Sequence, residues 1–345
     1  MRKEKSFKIN PILAVDSYKL AHKKMYPVQK GILYSNLTPR SDSYLKAVVP
    51  ESVYDGKVVA FGIQGLIKNY LGLWQENFFD APFDEAVEYA AETLLPFTGG
   101  NPVDKSGFED LWNLGYLPLV IKGVPEGSVV TPKIPVVKVY NYHDNFLWLT
   151  NYIETYLSNE YWKGSTAATI ARYYKKVLLK YARETGAPEE FVDFQGHDFS
   201  CRGMGGMHDA ARTGAGHLAV FKGSDTIIAA EYIKYAYQGE KSPLIACSVP
   251  ASEHSVSSSN ILMAEKNFSV NRIQAEIGFF TDIIQNKFPS GIVSYVADTY
   301  DFWGVLTEVA PACKKGILNR QADALGNSKV VFRPDSGDPV KIVCG

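Results

Sequence analysis

Cysteine is scarce and scattered: Cys201, Cys247, Cys313 and Cys344 are the only four in 345 residues, and no two stand as a CxxC pair. That argues against a zinc site and against a disulfide framework, so reduced thiols in a cytoplasmic protein are expected. An excess of either charge is also missing: 36 Lys and Arg stand against 37 Asp and Glu, for a net charge of -1. No basic field of the kind that marks a general nucleic-acid binder is expected, although local basic clusters can still hold phosphorylated small molecules. No uncharged apolar window reaches the ~18 residues that a membrane span needs. The opening MRKEKSFKIN is charged, has no apolar run behind it and shows no signal-peptide pattern. Internal repeats and low-complexity linkers are absent, as are GxSxG, HExxH and any cysteine beside a plausible histidine partner. The glycine-rich GHDFSCRGMGG fails as a dinucleotide fingerprint, because His208 stands three after Gly205, and no P-loop lysine follows.

What is present has the length of about two domains or one large α/β domain, enough to bury roughly 75% of the unfolded surface without a structural metal. Val58 to Leu73 turns helical towards its end, and residues 117–140 read as short strands broken by Pro-Glu-Gly and Thr-Pro turns. The pattern changes near residue 146. Leu147 to Glu160 is amphipathic and aromatic-rich, and Ser165 is placed to cap a long helix closed by Gly186. Then HLAVFKGSD, GIVSYVADTYD and KVVFRPDSGD each read as a buried strand ending in a carboxylate-bearing loop, with helical segments between. Strands alternating with helices predict parallel βα units, with functional groups at the carboxyl ends of the strands. The expected division is an N-terminal α+β lobe over 1–145 and a βα-barrel-like part over 146–345.

The stretches able to carry chemistry are each ambiguous alone. His197-Asp198 reads as an ordinary imidazole–carboxylate pair, while Phe199 and Arg202 could give an aromatic face and a guanidinium to one ligand. Asp225 either caps the following helix or accepts a hydrogen bond from a substrate amide. Ser294, Asp298 and Asp301 follow one apolar run, and Arg333-Pro334-Asp335 another, a combination suited to a ribose diol and a phosphate. Asp16, Tyr18 and Arg40 lie in compact polar–aromatic groups near the amino end. In SVPASEHS, Pro250 suits the first turn of a helix, which puts His254 near an amino end that favours anions.

Taken in order, ILAVDSYKLAHKKMYP, VPEGSVV, WLTNYIET, HDFSCRG, FKGSDT, SVPASEHS, SYVADTYD and FRPDSGDP resemble the nicotinamide phosphoribosyltransferases, of the type II phosphoribosyltransferases. The resemblance runs from about residue 10 to residue 340. It implies an α/β fold whose N-terminal lobe carries short antiparallel strands and whose barrel-like core is shorter here than the family's. It implies transfer of a phosphoribosyl group from phosphoribosyl pyrophosphate to nicotinamide, in NAD salvage. Arg40, Arg202 and Arg333 would meet phosphate or base, Asp335 the ribose, and Asp16 and Ser294 would line the substrate. Phe199 would stack on the pyridine ring, opposite Tyr18 of a second subunit, in a homodimer with shared sites. Asp225 would accept from the carboxamide and repel the carboxylate of nicotinate. ATP would phosphorylate His254, with Asp298 as partner of the other ring nitrogen and Glu253 in reserve, and Mg²⁺ would arrive with pyrophosphate or ATP. The alternatives are a nicotinate phosphoribosyltransferase, or a fragment completed by a separate chain carrying the family's C-terminal part. Neither membrane nor nucleic acid is an expected partner.

Overall fold

Alternating buried residues at 137–141 form the middle strand of an antiparallel sheet in the computed structural model, which describes residues 7–237 and 244–345. Strand β1 (Tyr34–Leu37) pairs with β5 (Val137–Asn141), which pairs in turn with β3 (Leu119–Gly123). A second antiparallel pair joins β2 (Val58–Ala60) to β4 (Ser128–Val130). The Pro-Glu-Gly turn read in the sequence does more than break a strand. Its Glu126 carboxylate accepts from the amides of Gly62 at 2.8 Å and Gln64 at 2.5 Å, covering the amino end of helix α1 (Ile63–Trp74). Gly62 has φ 97°, a conformation that disfavours any side chain.

Two compact units divide the chain, Met1–Cys247 and Ser248–Gly345. The first has a core of large buried side chains, among them Tyr70, Trp74, Phe78, Leu111, Leu149 and Tyr161. Helix α2 (Glu154–Thr185) runs 32 residues through that unit and stops at Gly186 in the left-handed conformation, φ 72°. The expectation that Ser165 caps a helix is corrected here, because it lies in the interior of α2. Its hydroxyl donates instead to the carbonyl of Val59 at 2.5 Å in a buried setting. Small residues at 164 and 165 are needed for close packing rather than for capping. A Cβ on Gly216 of helix α3 (Met207–Leu218) would fall 2.2 Å from the Gly164 carbonyl oxygen.

The strand expected in HLAVF is also shorter than read. His217 and Leu218 close α3, and strand β7 is only Gly223–Ser224, parallel to β6 (His197–Asp198). Cys247 extends the parallel pattern through a bridge to Gly223, and α4 (Ile227–Tyr237) follows β7.

In the second unit, helix α5 (His254–Phe268) packs on α6 (Arg272–Asp282), whose amino end carries a reciprocal Asn271–Gln274 capping box. Strands β8 (Val293–Val296) and β9 (Val330–Arg333) are parallel, and Ala251 bridges to Ser294. Pro250 therefore lies in extended backbone beside β8, not in the first turn of α5: its carbonyl accepts from the Ser294 amide at 2.9 Å. Ile261, Phe280, Ile284, Tyr295 and Val309 form this unit's core. Buried Arg320 has no carboxylate partner among the described residues. Its guanidinium donates to the carbonyls of Ile284, Phe288, Ser290 and Gly291 at 2.6–3.1 Å, pinning the loop that enters β8. No helix is long and apolar enough to cross a membrane among the described residues.

Candidate active site

Each unit gathers its own group of polar side chains at the carboxyl ends of its parallel strands. In the first unit the pairing of His197 is not with its neighbour Asp198. The 2.0-residue period of a strand points successive side chains to opposite faces, so His197 and Asp198 diverge. His197 Nε2 meets Asp225 Oδ2 at 2.8 Å across the β6–β7 pair, and its ring lies 4.6 Å from that of Phe199. Asp198 turns inward and is 7% exposed. Its Oδ1 accepts from the Ser200 amide at 2.8 Å and its backbone carbonyl from the Asp225 amide at 2.9 Å. It thereby ties the turn carrying Phe199 to the one carrying Asp225. Burial pushes the Asp198 carboxyl up, but hydrogen bonds from Ser200 and Thr226 outweigh it and hold it below the usual range. Arg202 lies exposed in the turn Cys201–Gly203 that follows.

Asp16 and Tyr18 make their contacts in another part of this unit. The Asp16 carboxylate accepts from the Thr155 hydroxyl at 2.6 Å, while Tyr18 stands 62% exposed on a single helical turn. Lys19, which the sequence shows only as a member of the polar–aromatic group Asp16-Ser17-Tyr18-Lys19, is 5% exposed and donates to Asn151 O at 3.0 Å and Glu154 Oε2 at 2.5 Å. That anchor is what holds the turn presenting Tyr18. Arg40 lines an open cavity of about 780 Å³ together with Tyr44, Trp162, Ile170 and Tyr174.

The second unit brings together His254, Asp298, Asp335 and Arg333. His254 is the first residue of α5, and its Nε2 lies 3.1 Å from Asp298 Oδ1. The Asp298 side chain is 8% exposed, and its Oδ2 accepts from the Asp335 amide at 3.0 Å and the Ser336 hydroxyl at 2.6 Å. Burial raises the Asp298 carboxyl, but Ser336, Asp335 and His254 together overcome this and keep it below the ordinary carboxylate range. It is therefore ionised at neutral pH, and His254 carries the shared proton on Nε2. Nδ1, on the other side of the ring, is 3.9 Å from Asp335 Oδ2, beyond hydrogen-bond distance. Glu253 accepts from the Ser255 hydroxyl, so Asp298 rather than Glu253 is the partner of the imidazole. Arg333 donates to Ser252 O at 2.9 Å and stands 3.8 Å from Asp335. Ser294 is buried in β8, where its amide and carbonyl bond the backbone of Pro250 and Ser252. Ser336 was not singled out in the sequence; the hydroxyl next to Asp335 was the available signal.

Comparison with known proteins gives this geometry its context. Residues 194–344 match the family described as nicotinate phosphoribosyltransferase (NAPRTase). The chain is 47% identical over 341 residues to a nicotinamide phosphoribosyltransferase of Acinetobacter baylyi, covering 99% of this chain and 64% of that protein. It is 30% identical over 352 residues to a nicotinamide phosphoribosyltransferase of Mycoplasma genitalium, covering 99% of this chain and 70% of that protein. The chain belongs to the nicotinamide phosphoribosyltransferase family. It shares the α/β fold of the type II phosphoribosyltransferases. The crystal structure of human nicotinic acid phosphoribosyltransferase aligns with a TM-score of 0.52 at 17% identity, covering 94% of this chain and 62% of that one. The chain thus spans somewhat less than two thirds of the Acinetobacter family member, and the eight stretches read in the sequence all fall within that span.

Proposed function

We propose that the chain contributes to phosphoribosyl transfer from phosphoribosyl pyrophosphate to nicotinamide, giving nicotinamide mononucleotide and pyrophosphate, with ATP hydrolysis coupled through His254. The pyridine nitrogen attacks C1′ of the ribose as the C1′–oxygen bond to pyrophosphate breaks. Such a step needs cations on the leaving group and fixed geometry at the sugar. Arg40, Arg202 and Arg333 are the proposed cations, and Asp335 the group for the ribose. Phe199 supplies one aromatic face for the base and Tyr18 of a second subunit the other; Asp225 reads the carboxamide. The division proposed by role is a lobe to residue 145 and a catalytic part from 146.

The disposition of His254 carries the reading. In the neutral tautomer that directs Nε2–H to Asp298, Nδ1 carries the lone pair and is the proposed nucleophile. It attacks the γ-phosphorus of ATP, forming an N–P bond as the bond to ADP breaks. Water later hydrolyses the phosphohistidine. The position at the start of α5 adds amide dipoles that favour the phosphoryl charge. Asp298 has both oxygens engaged by protein donors, which leaves half-exposed Asp335 as the carboxylate next to His254 able to meet a phosphate-borne Mg²⁺. That ion would neutralise charge on the departing pyrophosphate.

The test is formation of mononucleotide from each base with phosphoribosyl pyrophosphate and Mg²⁺, with and without ATP. His254→Ala is expected to lose ATP stimulation and the acid-labile phosphate while basal transfer survives; undiminished ATPase in that variant refutes the coupling. A second reading, nicotinate as substrate, is favoured by the description of the matched family. Faster turnover of the acid would establish it. Activity appearing only on addition of the family's carboxyl-terminal part would mark the chain as one portion of the catalyst.

A further inference from the structure

We propose that His197 is the positioning residue for base specificity, acting through Asp225; this rests on the reading of Asp225 above as the group that selects amide over acid. In that reading the carboxylate must be correctly rotated toward the carboxamide. His197 supplies that requirement. The contact of its Nε2 with Oδ2 at 2.8 Å sets the rotation of the Asp225 carboxylate about the Cβ–Cγ bond. The same imidazole lies against Phe199, with ring centroids 4.6 Å apart and planes inclined by 31°. Acceptor and aromatic face are thus referred to one ring and hold a fixed relation to each other.

The backbone next to that ring is fitted to it. The parallel register sets His197 opposite Gly223. A Cβ at 223 would stand 2.7 Å from His197 Nδ1 and 3.0 Å from the Gly196 carbonyl oxygen, so even alanine would displace the imidazole. On its other side the Gly223 carbonyl lies 3.0 Å from Nε2 of His217, which fixes the peptide against which His197 rests. Asp198 holds the same two turns through its contacts with Ser200 and Asp225. A histidine kept only for packing would not need a donor aimed at the carboxylate that meets the substrate. Nor would it need a glycine opposite.

The experiment measures equilibrium binding of nicotinamide and of nicotinate to the full chain, by ligand-observed NMR, for the wild type and three variants. His197→Phe keeps a ring for Phe199 but removes the donor, and is expected to lower the amide-to-acid affinity ratio about tenfold or more, the loss of one charge-assisted hydrogen bond. His197→Gln restores an N–H donor and should recover most of the ratio. Gly223→Ala retains every polar atom and should lower the ratio by displacing the imidazole, which probes the same contact while leaving residue 197 unchanged. A wild type that prefers the amide, with His197→Phe and Gly223→Ala keeping its ratio, overturns the proposal and leaves Asp225 as the selector. A wild type that binds neither base, or prefers nicotinate, overturns the reading of Asp225 and the proposal together.

Discussion

Asp298 shows how much a single carboxylate can organise. It is engaged by an imidazole from one stretch of chain and by an amide and a hydroxyl from another, and these outweigh the cost of burying it. Its folded pKa is depressed, so its contribution to stability is complete above the ordinary aspartate value of about 3.9 and is lost as pH falls through the folded value. Urea unfolding between pH 7 and pH 2.5 should show the wild type losing stability in that acid window, with a shallower slope for Asp298→Asn. The same variant should slow phosphorylation of His254 on the order of 10⁴-fold, as when other His–Asp pairs lose the carboxylate that fixes the tautomer; loss of the phosphate in a pulse with labelled ATP measures it. At this level the sequence told part of the story. The resemblance carried by SVPASEHS and SYVADTYD implied His254 with Asp298, while residue types alone showed only carboxylates at strand ends, where parallel βα units put chemistry. The partner of His197 was not legible. Adjacency suggested Asp198, and only the pairing of β6 with β7 shows that the next strand supplies the carboxylate.

Among helices and strands, closeness of approach decides more than propensity does. Helices α2 and α3 meet at glycine, and a methyl at 216 would stand 2.2 Å from the Gly164 carbonyl oxygen and 3.1 Å from the Ala168 amide. Since the obstacle is backbone, relief requires the helices to part. Gly216→Ala should therefore cost about 1–3 kcal/mol despite alanine's better helix propensity, seen as a lower denaturant midpoint at unchanged slope. This explains why Ser165 read as a cap. A small polar residue before an apolar-periodic run is the usual mark of a helix start, but the same residue type serves where two helices press together. It explains HLAVF as well, where an apolar run short enough for a strand proved to be the end of α3 and the turn after it. The antiparallel strands over 117–140 were readable because alternation and the proline and glycine turns are local signals.

For the chain as a whole, near-balanced charge sets its dealings with other macromolecules. At a net charge of -1, retention on heparin or on duplex DNA at 0.15 M salt should not exceed that of a neutral globular protein. A clear shift by gel or column would contradict this. Parallel βα organisation was visible in the repeated pattern of apolar run and carboxylate loop. The two cores were not, since they are made by contacts distant along the sequence, such as Phe280 with Phe332 or Trp148 with Phe108. Arg320 belongs to the same category: nothing near it in sequence announces that four carbonyls from an earlier helix end and the loop after it will converge on its guanidinium. The clasp around Asp298 has one more consequence, in the order of synthesis. His254 leaves the ribosome well before Asp335 and Ser336, the donors that keep Asp298 in place to orient the imidazole. On the proposed mechanism a nascent chain holds the phosphate acceptor but not the means to ready it, so ATP is spared until the turn after β9 has been made.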